Sequence, residues 1–193
     1  HTPTPTVTPK PTNTPTPTAT PTIAARSAFT QIEAESFTSN KGVEIANCTE
    51  GGKDIERIEN GDYAVYDNIN FSDGASSFEV RYANGSSSTG NIEIRLDDIN
   101  GKLVGTCSIP STGGWQTWAT KKIDIQKTTG VHKLYLKFTG GSGYLFSLNW
   151  FRFYQTAVVP SGIAFTDNFN DGNAEGWTTY NGTWKVENNK YAV

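Results

Sequence analysis

The chain has 193 residues, a formal charge of −3, 35% hydrophobic residues and 12% aromatic residues. The slight acidity gives no basic footprint for a phosphate backbone, which excludes nucleic acid as the expected partner, and no stretch approaches the ~20 apolar residues of a membrane-crossing helix. The 19 glycines beside so many aromatics are the mixture of a protein built from short strands and tight turns.

Seven of the nine prolines and ten threonines fall within residues 1–22, in the run TPTPTVTPKPTNTPTPTATPT. Proline fixes φ and donates no backbone hydrogen bond, and threonine has too little apolar surface to nucleate a core. Residues 1–25 are therefore predicted to be a disordered, extended Thr/Pro-rich linker. At ~3.1 Å per residue it could separate two modules by roughly 70 Å. Such a spacer implies a secreted, extracellular, multi-module protein; no signal peptide is present to say so independently.

From residue 27 to 156 the hydrophobic period is two. Strands are predicted at 27–34, 62–71, 76–83, 91–98, 102–109, 115–125, 131–139 and 144–154, divided by turn-rich runs such as ANGSSSTG, INGK, STGG and GGSG. Alternation places Phe78, Val80 and Tyr82, then Ile92, Ile94 and Leu96, then Leu134, Leu136 and Phe138 on buried faces. Glu33 and Glu35, two apart on the first of these strands, would point the same way. The pattern predicts an all-β protein, a jelly-roll β-sandwich of two antiparallel sheets with helix nearly absent. Cys48, in a predicted loop, and Cys107, in a predicted strand, could form one disulfide or remain two free thiols.

Residues 157–163 are expected to form a second linker. Residues 164–193 restart a strand-turn-strand pattern with Trp177, Trp184 and Tyr191 as apolar anchors. Thirty residues bury too little surface to fold alone, so this segment is expected to be the incomplete start of a second β module. Its acidic stretch Asp167–Gly172 is not an EF-hand, since Phe169 and Thr178 occupy ligand positions of that loop.

The chain carries no GxSxG, HExxH or CxxC motif and no phosphate-cradling glycine loop. His132, in GVHKLYL, is expected to pack or solvate beside a strand. Carboxylates such as Glu33, Glu35, Asp97 and Asp98 are read as solvated or metal-bound and not as a glycosidase pair. Trp115 stands apart because it directly follows Ser111-Thr112-Gly113-Gly114, at a loop-to-strand junction where a ring can stay exposed. An exposed indole packs well on the C–H face of a pyranose. Trp118, of opposite parity, is expected in the core.

Four stretches across residues 29–154 occur in order: FTQIEAESF, GGKDIERIENGDYAVYDNINF, IEIRLDDINGKLVGTCSIPSTGGWQTW and GYLFSLNWFRF. Together they resemble the family 6 carbohydrate-binding modules, non-catalytic jelly rolls joined by Thr-Pro linkers to xylanases, arabinofuranosidases and other plant cell wall hydrolases. The resemblance implies a monomeric module that targets an appended glycoside hydrolase to plant cell wall polysaccharide, with no membrane contact. Xylan or a related hemicellulose is the expected ligand, with β-glucan and arabinan as alternatives. Family members grip sugar in a loop-formed cleft with an aromatic pair and an asparagine. The tryptophan falls on Trp115; the tyrosine, usually in Gly-Tyr-Ile, falls on Arg57; the amide falls on Ser147 or, with a shifted closing strand, on Asn149. An arginine there could stack on a sugar face or form paired hydrogen bonds with a uronate. A second family site, on the concave sheet face, falls on Tyr63 and Lys137, with a buried structural role for Tyr63 as the alternative. Family members also hold a structural Ca2+, whose ligands fall on Glu33, Glu35 and Asn149. The other class of function left open is a structural or spacer module without its own ligand, because Arg57 and Ser147 depart from the family pattern.

Overall fold

The computed structural model describes residues 24–155 and, beyond them, the backbone of 185–187 and 190–192. Contacts divide the chain into two units at Thr156/Ala157. Most of the 1–25 linker, the 157–163 linker and most of 164–193, including Trp177 and Trp184, lie outside the described residues. In the second unit the described backbone is one antiparallel hairpin, Lys185–Glu187 with Lys190–Ala192.

The described residues of the first unit form a sandwich of twelve strands. In chain order they are β1 (Arg26–Ser27), β2 (Ile32–Glu33), β3 (Ser39–Lys41), β4 (Glu44–Asn47), β5 (Lys53–Glu56), β6 (Tyr63–Asn70), β7 (Ala75–Ala83), β8 (Gly90–Leu96), β9 (Lys102–Ile109), β10 (Trp118–Thr128), β11 (Val131–Thr139) and β12 (Ser147–Tyr154). One sheet runs β1-β6-β11-β8-β9 with β3 on β6; the other runs β10-β7-β12-β5-β4 with β2 on β12. Every pairing is antiparallel except β1 with β6, which is parallel. The non-sequential order within both sheets is the crossing connectivity of a jelly roll.

The alternating triplets of β7, β8 and β11 all face inward and are buried. Between the sheets the rings pack edge to face: Tyr66 on Phe151 at 4.8 Å, Phe71 on Phe153 at 4.9 Å and Phe138 on Phe146 at 5.6 Å between centroids. The Tyr66 hydroxyl meets its buried polar need by donating to the Ala34 carbonyl at 2.6 Å. Burial pushes that phenol well above its ordinary pKa.

Several expectations need correction. The single strand at 27–34 is two short strands separated by a turn, and Ala34–Ser36 form a 3₁₀ turn, so Glu33 and Glu35 do not share one strand. Strand β10 begins at Trp118, three residues later than expected, because Gly113 takes a left-handed φ of 86° and Gly114 closes a turn to Thr117. Strand β12 likewise begins at Ser147. Trp118 is half-buried and not core; its indole nitrogen donates to Thr49 Oγ1 at 3.0 Å. Cys48 and Cys107 are both free and buried. His132 lies within β11, paired with Ile69 of β6, and its ring is hydrogen-bonded to Asp97 and to the Thr129 carbonyl.

A cleft between loops at one end of the sandwich

Three loops meet over the edge of the second sheet. The end of β5 and the residue after it bring Glu56 and Arg57, the β9–β10 loop brings Trp115, and the β11–β12 loop brings Tyr144. With Ser147, at the start of β12, they line a cleft of about 290 Å3. Arg57, Trp115 and Ser147 are thus brought together as the sequence implied. Tyr144 and Glu56 were not foreseen.

The tryptophan is held from three sides. Asn84, fully buried at the end of β7, donates through its side-chain amide to the Ser88 and Ile109 carbonyls, each at 3.0 Å. Its backbone N–H donates to Thr112 Oγ1 and its carbonyl accepts from the Thr112 N–H, which pins the loop carrying Trp115. The next residue, Gly85, lies directly beneath the indole: a Cβ there would fall 2.6 Å from Trp115 Cδ2 and 2.7 Å from Cε2. Only a glycine lets backbone come so close to the ring face. Tyr144 stands nearly perpendicular to the indole, with ring centroids 6.5 Å apart and planes at 85°. The loop of Tyr144 is tied in turn to that of Arg57 by the Leu145 N–H donating to the Ile58 carbonyl at 2.8 Å. Trp115 nonetheless stays 43% exposed and Tyr144 47%, large apolar surface that a core would have covered. One indole face is closed by Gly85, which leaves the other as a flat apolar platform.

The polar wall is built differently. Glu44 and Glu56 are directly opposite each other across the β4–β5 pair, an unfavourable arrangement for two carboxylates. Arg57 lies between them, its Nε 3.4 Å from Glu44 Oε2 and 3.6 Å from Glu56 Oε1. Its backbone takes a left-handed φ of 55°, a strained choice for a residue other than glycine. Ser147 is almost completely buried and presents little surface to the cleft.

Asn149 does not line this cleft. The register of β12 on β7 slips between Leu148 and Trp150, making Asn149 the extra residue of a bulge. It is buried and its amide donates to Glu50 Oε2 at 3.1 Å. Glu50 also accepts from Arg81 Nε at 2.9 Å and from Arg81 Nη2. The Arg81 hydrogen bonds hold the Glu50 carboxyl below the usual carboxylate range, against burial and with help from Asn149.

The predicted metal ligands neighbour this region. Glu33 pairs with Trp150, the residue after the bulge, and accepts from Gln31 Nε2 at 2.9 Å. Among the described residues, Glu35 Oε2 and Asp54 Oδ1 are buried without hydrogen-bond partners. Burial raises the Glu35 pKa, opposed by a backbone hydrogen bond and reinforced by Glu33 and Asp54. Two orphaned carboxylate oxygens in one acidic neighbourhood fit a hard cation that takes oxygen ligands. Among the described residues no three His, Cys, Asp or Glu side chains are grouped closely enough to hold a metal alone, so amide or backbone oxygens would have to complete such a set.

Tyr63 and Lys137 lie elsewhere, as directly paired residues of β6 and β11 in the other sheet. Tyr63 is half-buried, its ring 6.2 Å from that of Tyr135 at 51°. Tyr63 and Lys137 form a partly exposed patch on that sheet.

A carbohydrate binding module (family 6) profile matches residues 33–155. The arabinoxylan arabinofuranohydrolase of Bacillus subtilis is 39% identical over 140 residues, 69% of this chain and 27% of that protein. The chain thus spans about a quarter of that curated relative. Two solved structures are similar over their whole length. A family 6 carbohydrate-binding module from Clostridium cellulolyticum, in complex with xylose, is 49% identical with a TM-score of 0.66 and covers 67% of this chain and 100% of that one. A β-1,3-glucan-binding module of the same family from Bacillus halodurans is 34% identical, also with a TM-score of 0.66, and covers 68% of this chain and 100% of that one. The match spans the sandwich, the loop cleft and the exposed tryptophan, and the chain belongs to the non-catalytic family 6 carbohydrate-binding modules.

Proposed function

We propose that this module docks an appended glycoside hydrolase onto plant cell wall polysaccharide, with a xylan-type chain seated on Trp115. The observation that carries this is the indole itself: one face closed by Gly85, the other open over a cleft, 43% exposed where Phe71, Phe78, Phe138, Phe146, Phe151 and Phe153 are all buried. A pyranose ring packs its C–H face on such a platform and offers its equatorial hydroxyls to the cleft edge, where Glu56 and Arg57 stand. Xylan is preferred because the similar arabinofuranohydrolase is named for arabinoxylan and the similar solved module holds xylose. With few sugars gripped, Kd is expected between about 10 μM and about 1 mM, or about −7 to −4 kcal/mol. The module acts as a monomer in a secreted protein, with the Thr/Pro run as its tether.

A structural Ca2+ belongs to the same proposal. Glu33, Glu35 and Asn149 would hold it, and the unpartnered Glu35 oxygen supports the assignment. The ion would supply charge compensation and cross-bracing between β2 and β12, with no part in sugar binding.

A ligand-free spacer module is the second reading, favoured by Arg57 and Ser147 standing where the family has a tyrosine and an amide. Affinity electrophoresis in gels containing xylan, β-glucan or arabinan separates the two. Retardation by xylan is expected; migration unchanged by every polysaccharide would leave the spacer role.

A further inference from the structure

Arg57 is the sole cation among the five residues lining the cleft, and a lone arginine at a sugar site invites assignment as a receptor for a uronic acid. Its surroundings argue the opposite. The arginine stands between two carboxylates that face each other across β4 and β5, with Glu44 at 3.4 Å and Glu56 at 3.6 Å from the same Nε. The three side chains together carry a net charge of −1, from one positive and two negative groups. Glu56 also lines the cleft, so an incoming ligand meets a carboxylate there as well as the guanidinium. The neighbouring cleft residues Trp115, Tyr144 and Ser147 add no positive charge. The left-handed backbone of Arg57 is understandable in the same terms, as the conformation that sets its side chain between the two glutamates.

We infer that the cleft selects neutral glycan chains and disfavours a sugar that carries a carboxylate, with the Glu44–Arg57–Glu56 cluster as the determinant. This rests on the cleft being the sugar site. A uronate brought to the platform would compete with Glu44 and Glu56 for one guanidinium and repel whichever carboxylate it displaced. A neutral pentose or hexose meets no such cost, and its hydroxyls can donate to Glu56 while accepting from Arg57. All three charged groups are substantially exposed, so the discrimination is modest and sensitive to salt.

The test is titration calorimetry with two ligands of one shape: xylotriose bearing a glucuronic acid on its terminal xylose, and the same compound with the carboxyl reduced to an alcohol. The acid form is expected to bind roughly two- to fivefold more weakly at low salt. The gap should shrink as ionic strength rises from about 0.01 M to about 1 M, where the Debye length falls from ~30 Å to ~3 Å. In a Glu44→Gln/Glu56→Gln protein, shown to be folded by circular dichroism, the preference should vanish or reverse. If those changes unfold the chain, the salt series on the unaltered protein carries the test alone. Equal affinities at low salt, or tighter binding of the acid that Arg57→Ala abolishes, would overturn the inference while leaving the cleft assignment intact. Failure of both compounds and of plain xylotriose to bind would instead remove the cleft as the sugar site, and this inference with it.

Discussion

Gly85→Ala should impair sugar binding while leaving the fold in place. The added methyl would lie 2.6 Å from Trp115 Cδ2, whereas carbon atoms in contact prefer about 3.5–4.0 Å, so the indole must move by about 1 Å. The movement is easy because the ring is 43% exposed and the cleft side is open. Gly85 does not adopt a left-handed φ, so alanine brings no backbone strain with it. The cost to stability should therefore stay below about 1 kcal/mol, less than the ~1–3 kcal/mol of overpacking in a closed core. Binding has no such relief. Ring burial against the sugar contributes about 1–3 kcal/mol, and a displacement of this size loses a good part of it, giving roughly five- to tenfold weaker binding. Titration calorimetry with xylo-oligosaccharides and a thermal melt, run on the same preparation, read the two effects separately. Undiminished affinity in a folded Gly85→Ala protein would refute the assignment of the sugar to the indole face opposite Gly85.

Other outcomes follow from the same geometry. If Ca2+ occupies the Glu33/Glu35/Asn149 neighbourhood, the melting temperature rises with added calcium and falls with EDTA, and Glu35→Gln abolishes the response; a melt indifferent to chelator would remove the ion. The Glu50 carboxyl, held low by Arg81, stabilises the folded state above the ordinary carboxylate range, and that contribution is lost as pH falls through the lowered folded value. Glu50→Gln should thus cost about 1 kcal/mol or less at neutral pH in urea unfolding, since the pair is partly exposed. The difference from the unaltered protein should close as pH falls through the lowered folded value, and a gap that persists once the carboxyl is protonated would show that the glutamate acts through packing and not charge. Tyr63→Ala should leave xylo-oligosaccharide binding unchanged, because Tyr63 and Lys137 sit on the other sheet; lost affinity in a folded protein would move the site there.

The long strands were legible because each has one buried and one exposed face, so β7, β8 and β11 write their burial as a period of two. Strands β3, β4 and β5 went unseen: they are three or four residues long, and β3 and β4 lie at sheet margins where both faces meet solvent and no alternation develops. The strand drawn through 27–34 failed for a related reason. Apolar residues recur there, but they serve two short strands and a 3₁₀ turn. Trp115 was found by a ring following a glycine turn, and the same rule applied to GGSGY would have found Tyr144. The position of Asn149 was beyond any periodicity argument, because a bulge shifts parity without a sequence signal of its own. The role of Arg57 was equally hidden. It depends on Glu44, thirteen residues away in sequence, and that contact exists only once β4 has paired with β5.

The most direct measurement is the affinity of Trp115→Ala for xylo-oligosaccharides, by titration calorimetry, with circular dichroism to establish that the protein is folded. Removing the indole should cost about 1–3 kcal/mol, which takes a module with Kd between about 10 μM and about 1 mM to the edge of detection or past it. Binding by a folded Trp115→Ala protein that matches the unaltered chain would contradict the cleft as the seat of recognition.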